Sequence, residues 1–250
     1  MPQNALVLSP NNSKAAVYDR DAINYFSRAG VTDATAKSQI NAFVKGIKNL
    51  GLYNNMVCWP LRSSQNAGTG ATAYSLGGLG TYNGTLANSP TWGVDGVTFS
   101  PTNSCLQFAY YLPTGSHTIL AVGLNNATIN NSIVFRVSNT DNNFHFWQRR
   151  NATSNTLFSP NTDLSGYING AITNTANANV YNSFGATTTR NFGTGTAHGG
   201  PAFFGDLANS QQWGSVGSFA SIFNATLTTA QILALHNLLK TTLGQGLGLP

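Results

Sequence analysis

FASIFNATLTTAQILALHNLLKTTLG, running from Phe219 to Gly244, changes periodicity partway along. Residues 219–224 are an apolar run of β type. Thr228 and Gln231 then stand three apart, the spacing of a capping box, in which each side chain reaches an otherwise unpaired backbone amide of the other. Ile232, Leu235, Leu239 and Leu243 follow at helical spacing, so one face is apolar, and Gly244 supplies a stop. The stretch therefore predicts a closing strand followed by a short packed helix over residues 228–243.

The other end of the chain is also helical in pattern. Residues 1–18 read as an extended arm, with Pro2, Pro10 and the pair Asn11-Asn12, ordered by a partner or not at all. Residues 19–29 can form a helix ended by Gly30. Thr32 or Asp33 can cap a second, in which Ala36, Ile40, Phe43, Val44, Ile47 and Leu50 make one stripe, with Gly51 after it. The expectation is a helical hairpin over residues 19–51.

Between these ends the pattern is β. Residues 56–61 form a first short strand. A long Gly/Ser/Thr/Asn region follows, with weaker strands at 81–87 and 96–99. The clearest strands are 105–112, 117–124, 132–138 and 144–149, separated by turn residues. Weak strands continue at 156–158, 167–168, 180–183 and 188–192. Many short strands at this spacing predict a mainly β, two-sheet antiparallel jelly-roll sandwich. The expected organisation is an arm over 1–18 and one domain over 19–250.

Charged residues make up only 8% of the 250, and all seven acids are Asp. The net charge is +5, and residues 1–50 carry +3 of it, six bases against three acids. That excess reads either as a solvated helix face or as contact with an acidic partner surface, for which Lys14, Arg20 and Arg28 are the candidate docking residues. No Arg/Lys run or zinc-finger spacing points to nucleic acid. Two cysteines, Cys58 and Cys105, are too few to establish an oxidising compartment, and buried thiols are expected. The start, MPQNALVLSP, lacks the pattern of a signal peptide, and no apolar run is long enough to span a membrane.

A search for chemistry returns mostly negatives. The jelly-roll glucanases use a Glu–Asp–Glu cluster on one strand, and this chain contains no Glu. Ala73-Tyr-Ser75-Leu-Gly77 loosely matches a nucleophile elbow, but the glycines after it disfavour the required helix. His117, His145, His198 and His236 lack metal-ligand spacing. Calcium held by Asp141, Asn142 and Asn143, or by Asp163 near Asn161, is the one metal left open. No catalytic residues are assigned, and a non-enzymatic chain is expected. One constellation suits a ligand. Alternation on 144–149 sets His145, Trp147 and Arg149 on one face. Arg136 and Tyr111 stand on neighbouring strands, and an aromatic face with Arg and His can stack a sugar ring and bond its hydroxyls. The other reading of the same residues is that Trp147 and Tyr111 cover a second hydrophobic layer.

The closing stretch SFASIFNATLTTAQILALHNLLKTTLG resembles the C-terminal end of concanavalin A-like, LamG-type jelly rolls. FVKGIKNLGLY (43–53) followed by MVCWPL (56–61) is similar to the opening of such domains in bacteriophage virion proteins. YFSRAG (25–30) and GLGTYNG (78–84) point the same way. The likeness brackets about residues 20–245. It implies a virion surface component, of capsid-decoration, head-fibre or tail-fibre type, with other virion proteins as partners. Homo-oligomers and glycan contact would fit that role, and a free-standing carbohydrate-binding lectin is the alternative.

Overall fold

In the computed structural model the described residues are 17–99, 104–112, 117–125, 132–137, 144–149, 166–174, 179–182, 200–205 and 216–249. The expected arm, apart from Val17 and Tyr18, lies outside them, as do the weak strands expected at 156–158 and 188–192.

Local chemistry sets the helices. In α1 (Arg20–Ala29) the Asp19 carboxylate accepts from the Asp21 amide, and Gly30 ends the helix in the left-handed conformation. In α2 (Ala34–Asn49) Asp33 accepts from the Ala36 amide at 2.7 Å. Ala36, Ile40, Phe43, Val44 and Ile47 of the predicted stripe are buried. After a short 3-10 turn, Tyr53–Asn55, the chain enters β1 (Met56–Pro60). All five residues of β1 are buried, which explains its unbroken apolar sequence: both faces are covered.

Twelve further strands follow: β2 (Thr72–Ala73), β3 (Gly84–Ala87), β4 (Thr91–Trp92), β5 (Val97–Thr98), β6 (Cys105–Leu112), β7 (His117–Asn125), β8 (Ser132–Val137), β9 (Phe144–Arg149), β10 (Gly166–Asn174), β11 (Asn179–Asn182), β12 (Gly200–Gly205) and β13 (Val216–Phe223). Helix α3 (Thr229–Thr241) closes the described chain with the predicted Thr228/Gln231 capping box fully formed. It stops two residues short of the expected end, because the Thr242 and Gly244 amides both turn back onto the Leu239 carbonyl. No helix among the described residues is long and apolar enough to cross a membrane.

The strands form two antiparallel sheets. The first runs β11-β10-β7-β13-β5-β4, with β1 also on β13. The second runs β2-β3-β6-β12-β8-β9. Strand β13 is the hub of the first: β7 lies along one side, and β1 and β5 share the other end to end. Val57 stands opposite Ile222 and Trp59 opposite Ala220, so the closing strand completes a sheet begun by the opening one.

The pleat sorts these strands into two cores. Val57, Trp59, Ile119, Ala121, Ala220 and Ile222 meet Leu106, Phe108 and Phe204 of the second sheet. Met56, Cys58, Leu120, Val122, Phe219 and Phe223 face the other way, onto the apolar stripes of α1, α2 and α3. The result is three layers: helices, first sheet, second sheet. Gly46 of α2 is the point of close approach to α3, since a Cβ there would collide with the Leu238 side chain. The fold is thus the predicted mainly β two-sheet sandwich with N-terminal and C-terminal helices, and both helical ends cover the same sheet.

Candidate functional site

The helices cover one face of the first sheet's central strands and the second sheet covers the other, and on the second sheet's far side β2, β3 and β6 present exposed positions. Along β6 burial alternates from Leu106 to Tyr111, while Cys105, in phase with Gln107, is buried. Leu106, Phe108 and Tyr110 are buried, while Gln107, Ala109 and Tyr111 are exposed. Tyr111, 69% exposed, is the only aromatic among the exposed large apolar side chains of the described residues.

Backbone register links this strand to the other five. Thr72 pairs with Thr85, Thr85 with Gln107, Gln107 with Phe203, Phe203 with Arg136, and Arg136 with His145. The six residues thus stand in one register row across the sheet. Thr72, Thr85 and Gln107 are exposed, and Phe203 is buried. Two of the predicted sugar-contact residues, Arg136 and His145, therefore occupy adjacent register positions in this row. Trp147 lies opposite Ile133 and Arg149 opposite Ser132, with register shifts on both sides of Ile133. Tyr111 pairs with Pro201, two strands from Arg136.

A second concave feature lies on the helical side. A cleft of about 470 Å³ is bounded by Asp21, Asn24, Ser27 and Arg28 of α1, by Tyr53, and by Leu76, Gly77, Gly80 and Thr81 of the glycine-rich loop. Lys48 bridges the Asp19 and Asp21 carboxylates at 2.7 and 2.6 Å and lies over the Tyr53 ring. The bond from Lys48 outweighs partial burial and holds the Asp19 carboxyl below the ordinary carboxylate range. Burial, reinforced by the Asp21 and Asp19 charges, pushes the Tyr53 phenol far up, so it stays protonated. Arg28 donates to the Ser75 carbonyl at 2.9 Å, tying α1 to the loop. The loop can sit so close because residue 77 is glycine: its φ is 139°, and a Cβ there would strike the Met56 carbonyl.

Of the candidate docking residues, Arg20 is exposed on α1, Arg28 lines the cleft, and Lys14 lies outside the described residues. The elbow-like Ser75 is buried, and its hydroxyl accepts from the Tyr82 amide, with no helix following it. The calcium candidates Asp141, Asn142, Asn143, Asn161 and Asp163 all lie outside the described residues. Among the described residues no group of three His, Cys, Asp or Glu is placed to hold a metal ion. Cys58 and Cys105 are both buried and not joined in a disulfide. Sequence reasoning missed Thr72, Thr85 and Gln107. Gln107 was legible from the alternation in β6, but the threonines join it only through pairing.

No protein-family model matches the chain, and no curated protein matches it in sequence. Solved structures do match. A Trypanosoma rangeli sialidase chain superposes with a TM-score of 0.51 at 12% identity, over 84% of this chain and 40% of that one. The same sialidase bound to the inhibitor DANA gives 0.53 at 11%, over 80% and 37%. A mutant displaying trans-sialidase activity gives 0.53 at 10%, over 81% and 38%. The chain spans about two fifths of those sialidase chains. At such identities the likeness shows a shared fold. It also corrects the expectation of a non-enzymatic chain to this extent, that the matched solved chains named above are sialidases. The absent Glu–Asp–Glu cluster argued against one glucanase mechanism only. Fold and comparison together establish a β-sandwich of a type found within sialidase chains.

Proposed function

We propose that this chain is a glycan-contacting β-sandwich module displayed on a bacteriophage particle, with its helical side toward the particle. The observation that carries the reading is the asymmetry of the sandwich. Strands β1 and β13 at the centre of the first sheet are buried on both faces, while the second sheet exposes Thr72, Thr85 and Gln107 at paired positions, with Tyr111 exposed farther along β6. Polar side chains next to an aromatic ring suit a sugar, whose hydroxyls need donors and acceptors and whose C–H face stacks. The sialidase likeness in fold is in keeping with sugar contact, and the particle role rests on the sequence resemblance. A glycan array that includes sialylated glycans, probed with wild type, Trp147→Ala and Tyr111→Ala, tests the sugar contact. Binding by wild type that falls in both variants supports it; binding by none of the three, or equal binding by all, sinks it. Deleting residues 2–15 tests the docking end: particles should lose the protein while it stays folded, and full occupancy without those residues would overturn that assignment.

A second reading follows from the same likeness, in which the sandwich is one module of a glycoside-processing protein. Release of sugar from sialyl-lactose or a polysaccharide by the purified chain would favour it.

A further inference from the structure

We infer that the cleft between α1 and the glycine-rich loop is a second sugar-binding site, for one or two neutral pyranose units. It is separate from the outward sheet: α1 packs on the opposite side of the first sheet from the second sheet. Three of its lining residues, Asn24, Ser27 and Thr81, are exposed, and their side chains carry no intramolecular hydrogen bond among the described residues. Each offers both a donor and an acceptor. Arg28 and Asp21 bound the same space, and both are held in place, Arg28 by the Ser75 carbonyl and Asp21 by Lys48. Fixed groups flanking adaptable ones suit a vicinal diol, with the guanidinium donating and the carboxylate accepting.

The charges define the ligand class. The two charged residues of the lining, Asp21 and Arg28, are of opposite sign, and Lys48 behind Asp21 is shared with Asp19, so the cleft favours neither an anion nor a cation. The lining is mostly polar, which disfavours an apolar ligand. The volume of about 470 Å³ accommodates a monosaccharide or a disaccharide.

The test is a heteronuclear NMR titration of the full chain with methyl α-glucopyranoside, methyl β-galactopyranoside and, as the charged comparator, sodium glucuronate. The expected result is saturable shifts of the Asn24, Ser27 and Thr81 amides with a neutral glycoside, weaker with glucuronate. The double variant Asn24→Ala/Thr81→Ala should bind at least about fivefold more weakly with an unchanged melting temperature. Tyr111→Ala should leave these shifts intact, which separates this site from the sheet face. The inference is overturned if those amides do not move, if glucuronate binds more tightly than both neutral glycosides, if the double variant binds normally, or if Tyr111→Ala abolishes the shifts.

Discussion

At the scale of single residues, two groups make testable claims. Asp19 has its pKa depressed chiefly by the Lys48 bond, so its contribution is complete above the unfolded carboxylate value and is lost as pH falls through the folded one. Stability should therefore drop on acidification below about pH 4, and Lys48→Met should flatten that drop while costing about 1 kcal/mol at neutral pH. Chemical denaturation at several pH values measures both. Burial pushes the Cys58 thiol well up, and Cys105 is equally enclosed. Neither should react with a thiol reagent until the protein unfolds; a native-state count of zero followed by two in denaturant is the expected outcome. Gly77→Ala combines an unfavourable φ with a clash against backbone, and should destabilise by at least about 2 kcal/mol.

Among the elements, α3 shows how local and tertiary effects divide. Its start is local: the Thr228 hydroxyl accepts from the Gln231 amide, and the Gln231 side chain accepts from the Thr228 amide. Thr228→Ala should cost about 1 kcal/mol. Its attachment is tertiary, since Leu235 and Leu239 are almost wholly buried in the core shared with α1, α2 and the first sheet. Leu235→Ala should cost about 3 kcal/mol, and urea titrations of the two variants would separate the terms. This element's start and apolar face were legible in sequence because capping and the 3.6-residue stripe are short-range signals. Strands β2, β4 and β12 were not read: two are two residues long, and β12, GPAFFG, shows no alternation to recognise.

For the molecule as a whole, the junction of the layers is Trp59. It is buried in β1, its ring centroid is 3.9 Å from that of Phe108 in the opposite sheet, and its indole N–H donates to the Tyr82 carbonyl. Trp59→Ala should cost about 4 kcal/mol and loosen both sheets together, seen as a single cooperative transition at lower denaturant. The sequence by itself determined the helices and the longer regular strands: helix caps, apolar stripes, turn residues and strand alternation all act within a few residues, and each is set by backbone chemistry. It also carried the pairing of the two chain ends, because the strands at 56–61 and 219–223 are apolar on both faces and need cover on both. What only the tertiary structure decided is which polar residues become neighbours. The row from Thr72 through Gln107 to His145 exists because six strands pair in one register, and the cleft because Arg28 draws a loop 47 residues away onto α1. A single polar side chain looks alike in sequence whether it is solvated or set beside four others; that difference arises only when distant segments pack.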